Sequence, residues 1–156
     1  MKIGILTISD SRSFETDESG KVILEFSKKE GWAVKKYSIV PDEKKLIFEE
    51  LKNIVNQKVN LILTTGGTGV AKRDVTPEAT KSIIEKEVPG IGEAIRTFSA
   101  QKTQNAMLSR GIAGIINETL IINLPGSKKA VTEILPFLKL PIIHCIDLLT
   151  GKTTQH

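Results

Sequence analysis

Apolar positions recur along this chain with two different periods, and the switches between them divide it into elements. Residues 2–9, KIGILTIS, are apolar, β-branched and too few for a helix, which predicts a buried strand. Over residues 19–30, Val22, Ile23 and Phe26 fall at helical spacing, and Gly31 is placed to stop the helix. WAVKKYSIV predicts a second strand, ended by Pro41. Asp42 is then expected to cap a helix whose inward stripe is Leu46, Ile47, Leu51, Ile54 and Val55. VNLILT predicts a third strand. Thr76-Pro77 reads as a helix start, with the threonine oxygen as cap and proline at the first position.

The second half departs from simple alternation. A helix is expected over residues 90–103. RGIAGIINETLIINLPG predicts two short strands about a turn at Asn117-Glu118, where asparagine tolerates a positive φ. A last helix starts at Ser127, and a separate segment led by Pro141 is expected to close the core. The β-α-β-α-β-α order of the first half implies a largely parallel sheet with helices on both faces. With no repeat, linker or low-complexity stretch, one domain is expected over residues 1–156.

Composition narrows the function classes. No apolar run is long enough to span a bilayer, and the first ten residues turn polar too soon for a signal peptide, so a cytoplasmic protein with no membrane association is expected. A single cysteine, Cys145, excludes an intrachain disulfide framework. The net charge of +4 suits an anionic ligand. Nucleic acid is not expected, because the lysines are scattered and aromatics at 4% offer no stacking platform. Cys145 and His144, adjacent in an apolar segment, read as packing residues, and two potential ligands do not make a zinc site.

The densest punctuation follows the third strand, in LILTTGGTGVAKRDVTPEAT. A Walker A loop does not fit any register of GGTGVAKRD, and the third glycine of a dinucleotide fingerprint would fall on Lys72. Gly66, Gly67 and Gly69 can still bring backbone amides close to a ligand, with hydroxyls from Thr65 and Thr68. On local grounds a phosphate cradle and a plain turn both remain open. In an open parallel sheet, ligands sit outside the carboxyl ends of the strands. Loops leaving those ends bring Asp10, Asp42 and Asp74 to one edge, where carboxylates beside a glycine loop can hold Mg²⁺ against a polyphosphate. Each aspartate alone also reads as a cap or turn residue. NLPGSKK, again joining a strand to a helix, is a second anion-binding candidate.

IVPDE, NLILTTGGTG, RDVTPEATK, MLSR, TLIINLPGSKK and IDLL occur in order over almost the whole chain and closely resemble the MogA/MoaB family, which includes the G domain of gephyrin. The resemblance implies a three-layer α/β/α sandwich with a mostly parallel sheet and a small β-hairpin subdomain, and a homotrimer. It implies a molybdopterin adenylyltransferase of molybdenum cofactor biosynthesis, transferring AMP from Mg-ATP to the molybdopterin phosphate with release of pyrophosphate. The product is then expected to pass to a separate MoeA-like, molybdate-inserting protein. Asp42 in PDE and Asp74 in RDVTP match the family's essential acidic positions, implying catalytic residues that hold Mg²⁺. Thr65, Gly66, Gly67, Thr68 and Gly69, with Asn123, Pro125, Gly126 and Ser127, match its ligand-binding loops, and Ser109 lies in its LSR segment. The interior of GTGVAKRD departs from the family pattern. Some MoaB-type members lack RDVTP or the proline-aspartate pair; this chain keeps both, which places it with the MogA type.

The attacking phosphate is already anionic, so no nucleophilic side chain or general base is required. The rival reading is a non-catalytic molybdopterin-binding or scaffold protein of the same pathway, which would have no use for the two aspartates. A nucleotide-dependent oxidoreductase is disfavoured by the missing glycine. Gly67→Val or Gly69→Val is expected to abolish ligand binding without unfolding the domain.

Overall fold

The computed structural model describes residues 1–152. Its first strand, β1 (Lys2–Ile8), is buried from Ile3 onward, with β2 (Ala33–Val40) and β3 (Leu61–Thr65) parallel to it on either side. β6 (Thr119–Leu124) lies parallel to β3, β5 (Ala113–Ile116) runs antiparallel to β6, and the two-residue β4 (Lys86–Glu87) closes that side. The strand order is β2-β1-β3-β6-β5-β4. Four neighbouring strands are therefore parallel, and the hairpin at the end makes the sheet mixed.

Successive side chains of a strand point to opposite faces, and the apolar strands split accordingly. Ile3, Ile5, Leu61, Leu63, Leu120 and Ile122 form one core with α1 (Glu18–Lys29), α4 (Pro89–Ala100) and α5 (Lys128–Leu149). Leu6, Ile8, Ile62 and Ile121 form the other with α2 (Lys44–Asn56) and α3 (Thr76–Lys81). These are the three expected layers. Because both faces are covered, β3 and β6 are buried throughout and read as mainly apolar runs without alternation. At the far edge β2 is only half covered, and Lys35 and Lys36 charge it against edge-to-edge pairing.

Several local expectations need correction. Asp42 is not the α2 cap: Glu43 occupies that position, without a side-chain capping bond. Leu46 falls outside the inward stripe and is 36% exposed, whereas Ile47, Leu51 and Ile54 are fully buried. Thr76 does not cap α3 either. Its hydroxyl donates to the Gly66 carbonyl at 2.9 Å, so it holds the glycine loop instead. The segment led by Pro141 is not separate, because α5 runs through both Pro136 and Pro141. A proline inside a helix frees the carbonyl four residues earlier. Here those carbonyls belong to the exposed residues Thr132 and Phe137, so water can satisfy them. The same helix puts His144 on an exposed face, not in the core, while Cys145 is half-buried against it. β4 and a 3₁₀ turn at Gln104–Leu108 carry no sequence signal of their own. The expected β-turn is present, with Asn117 at φ 52°.

Candidate active site

The chain reverses direction across the sheet between β1 and β3, and their carboxyl ends open a crevice there, the usual ligand position in an open α/β sheet. A cavity of about 200 Å³ occupies it. Ile8 and Ser9 line it from β1, Gly66 and Gly67 from the loop after β3, and Asp42, Asp74, Arg12 and Gly126 complete its wall. Two carboxylates and one guanidinium thus face the same small space.

The carboxylates differ in their surroundings. Burial pushes the Asp42 carboxyl above the ordinary aspartate value, and the charges of Asp10 and Asp74 add to the rise against the pull of Arg73. Asp74 accepts the Ala71 amide at 3.0 Å. Asp10 reaches the same edge but is engaged elsewhere: Arg73 grips it with two bonds of 2.5 and 2.9 Å, and it accepts the Asp42 amide at 3.0 Å. The Arg73 bond and the Asp42 amide hold the Asp10 carboxyl below the usual range. Asp10 therefore orients the Asp42 main chain.

No group of three or more His, Cys, Asp or Glu among the described residues is arranged to hold a metal. Two carboxylates are nevertheless what Mg²⁺ takes from a protein when phosphate and water complete its octahedron. Asp42 and Asp74, repelling one another beside a cavity that also presents Arg12 to an anion, fit a metal–polyphosphate and not an all-protein metal cage.

The glycine loop is built tightly. Gly66 has φ 97° and Gly67 φ 67°, both in the left-handed region. A Cβ at Gly66 would lie 2.3 Å from the Ile8 carbonyl oxygen, and one at Gly67 2.2 Å from the Thr76 hydroxyl. Thr65 ties the loop to its neighbour by donating to the Pro125 carbonyl at 2.6 Å. On the other side of the loop lies a second cavity of about 270 Å³. Thr68, Gly69, Arg96, Ser109, Pro125 and Ser127 line it, with Ile95, Leu108 and Ala130 as its apolar wall. Ser127 caps α5 by accepting the Ala130 amide at 3.0 Å, so the positive end of that helix dipole is directed here. Two cavities, one charged and one mainly apolar, thus share a wall made of residues 65–69 and 125–127.

Most sequence-predicted residues stand in these walls. Asp42, Asp74, Thr65, Gly66, Gly67 and Gly126 line the charged cavity, while Thr68, Gly69, Ser109, Pro125 and Ser127 line the apolar one. Asn123 stands apart. It is buried and lines neither: its amide donates to the Thr64 and Thr80 hydroxyls and its oxygen accepts the Ile112 amide, stitching β3, α3 and β6. Arg12 and Arg110 were missed. Arg12 is anchored by Ser19 at 3.1 Å and by the buried Asp17, which also accepts the Thr7 and Tyr37 hydroxyls. A signal existed: only four of the 22 basic residues are arginine, and all four (Arg12, Arg73, Arg96 and Arg110) bond to this edge of the sheet.

The family model for a probable molybdopterin binding domain matches residues 4–144. The molybdopterin adenylyltransferase of Helicobacter pylori is 42% identical over 167 residues, covering 98% of this chain and 90% of that protein. The molybdenum cofactor synthesis protein cinnamon of Drosophila melanogaster is 44% identical over 151 residues, covering 94% of this chain; the chain spans 25% of its length. Among solved structures, the molybdopterin biosynthesis enzyme MoaB of Thermus thermophilus superposes with a TM-score of 0.86 at 42% identity, covering 99% of both chains. No helix among the described residues is long and apolar enough to cross a membrane. With a family model spanning residues 4–144 and full-length relatives above 40% identity, this chain belongs to the MogA/MoaB family.

Proposed function

We propose that residues 1–156 form a single molybdopterin-binding domain that acts as a molybdopterin adenylyltransferase, joining AMP from ATP to the molybdopterin phosphate and releasing pyrophosphate. The observation that carries this reading is the pair of adjoining cavities divided by the glycine loop. The charged one suits a metal-bound polyphosphate, and the apolar one, with its serines and Arg96, suits a flat heterocycle bearing polar edges.

In this reading Asp42 and Asp74 would hold Mg²⁺, which would supply positive charge against the leaving pyrophosphate. Arg12, which lines the same cavity as the two aspartates, would bind phosphate oxygen. Residues 66–69 form the wall between the cavities, where the acceptor phosphate and the α-phosphate must meet and where loop amides can serve as donors. Asp17, through Arg12, and Thr76, through Gly66, keep those donors still. None of these side chains has to exchange a proton, since the attacking phosphate is already an anion. Burial raises the Cys145 thiol, and the residue lines neither cavity, so it has no part in the transfer.

The protein is proposed to act in the cytoplasm as a homotrimer and to hand its product to a MoeA-like, molybdate-inserting protein. The test is pyrophosphate release from ATP, measured with and without added molybdopterin. Release that depends on both molybdopterin and Mg²⁺ is expected. Tight molybdopterin binding without release would replace the enzyme by a carrier of the same pathway.

A further inference from the structure

Asp74 sits in a loop that leaves β3 at Thr65 and reaches α3 at Thr76, and residues 70–73 of that loop are exposed. An exposed excursion is a poor platform for a metal ligand, so something must fix its two ends. Arg110 does so. Its Nε donates to the Gly69 carbonyl at 2.7 Å and one terminal nitrogen to the Asp74 carbonyl at 2.7 Å, one acceptor on each side of the excursion. Its other terminal nitrogen pairs with the Glu78 carboxylate in α3, and its main-chain amide donates to the Thr68 carbonyl at 2.8 Å. Arg96 of α4 holds the chain on both sides of Arg110, bonding the Gly111 carbonyl at 2.8 Å and the Ser109 carbonyl at 3.5 Å.

We infer that Arg110 is a positioning residue for the charged cavity: by clamping the main chain at Gly69 and Asp74, it sets where the Asp74 carboxylate stands relative to Asp42. The inference rests on the reading of that cavity as the metal–nucleotide site. The clamped ends lie close together, since a Cβ added at Gly69 would stand only 2.8 Å from Asp74 Oδ2. There is little room between the Gly69 main chain and that carboxylate, which also accepts the Ala71 amide, so a displacement of either clamped end bears on it. The planar guanidinium is required, since its fork serves three acceptors in fixed directions and an ammonium cannot. The Glu78 end is firmly held as well. Burial pushes that carboxyl up, but the Arg110 hydrogen bond and charge, with a backbone hydrogen bond and the Lys44 charge, together keep the group below the ordinary glutamate value.

The test compares the full-length protein with Arg110→Lys, Arg110→Ala, Glu78→Gln and, as reference, Asp74→Asn. Binding of Mn²⁺ in the presence of a non-hydrolysable ATP analogue is read from the electron paramagnetic resonance of free Mn²⁺. AMP transfer is read in single turnover across a Mg²⁺ titration. Arg110→Lys is expected to raise the half-saturating metal concentration roughly tenfold, the scale seen when a partner that orients a metal ligand is removed. Transfer should largely recover at saturating metal, Arg110→Ala should be worse than Arg110→Lys, and Glu78→Gln should raise the requirement by a smaller factor. If the arginine variants do not fold, Glu78→Gln alone decides, and an unchanged requirement there overturns the inference. A lowered melting temperature with a wild-type metal requirement would make Arg110 a structural residue only. That result, with metal binding lost in Asp74→Asn, leaves the site reading standing. Nucleotide bound without metal dependence, or normally by Asp74→Asn, overturns both.

Discussion

Asp42 is placed where its charge is costly to the empty protein. Burial and two like charges raise its carboxyl, so the folded state takes up a proton there more readily than the unfolded chain does. The stability contributed by such a group is fullest below the ordinary aspartate value and declines as pH rises through the raised one. Glu78 runs the other way: its folded value is lowered, so its contribution is present above the ordinary glutamate range and lost as pH falls through the folded value. Asp42→Asn should therefore melt at a higher temperature than the wild type at neutral pH without metal, with the gap closing on acidification. Calorimetry across pH measures this, and a variant less stable at neutral pH would show that Asp42 has a structural task. Gly69 offers a second check. Its added Cβ would meet only the Asp74 carboxylate, the movable end of a side chain, so Gly69→Ala should fold and need several-fold more metal, a shift read by titration. Gly67→Val is a poor probe, contrary to the expectation from sequence, because its φ and the Thr76 hydroxyl both resist a side chain. The aspartates and glycines were legible because a motif exposes them. Arg12, Arg110 and the inward turn of Asn123 were not, since each acts through main-chain atoms or partners distant in sequence.

The elements were legible wherever one face is apolar at a single period. β1, β3 and β6 are mainly apolar, and α2 shows its stripe, so tertiary packing and local pattern agree. Misreadings fell where local chemistry has two uses. Thr76 looked like a cap but fastens Gly66, and Pro141 looked like a break although its freed carbonyl lies at an exposed position. α5 shows that the buried stripe overrides proline: Val131, Ile134, Leu135, Leu138, Ile142 and Ile146 continue on one face past both prolines. Packing against the sheet through those residues offsets the lost helix bonds. Leu135→Ala should therefore cost roughly 2–5 kcal/mol, the range for a buried leucine truncated in a tight core. Urea unfolding would measure it, and a loss below about 1 kcal/mol would mean that α5 is held from its ends. Ser127→Ala removes the cap at the other extreme and should cost about 1 kcal/mol. Any loss of ligand affinity beyond that would report the helix N-terminus as part of the second cavity.

The whole sheet is what brings Asp42 and Asp74 together. Asp42 follows β2 and Asp74 follows β3, and these strands never pair, because β1 lies between them. The parallel arrangement puts all three carboxyl ends on one edge, so loops that are distant in sequence close over a single cavity. If both aspartates served local turns, Asp42→Asn and Asp74→Asn would each leave transfer near normal, and their effects would simply add. If they share one ion, each should lower transfer by roughly a hundredfold or more, on the order of 3 kcal/mol of transition-state stabilisation. The double variant should then be little worse than either single one, because the second substitution removes a ligand from an ion already lost. Single-turnover AMP transfer, with Mg²⁺ titrated for each variant, separates the cases. The same protein should pass through light scattering as a trimer of the 17.1 kDa chain, and a monomer at micromolar concentration would remove the assembly from the proposal. Near-normal transfer by Asp74→Asn at ordinary Mg²⁺ would be decisive against a shared ion. The charged cavity would then belong to ligand binding alone, and the carrier reading would take the place of the enzyme.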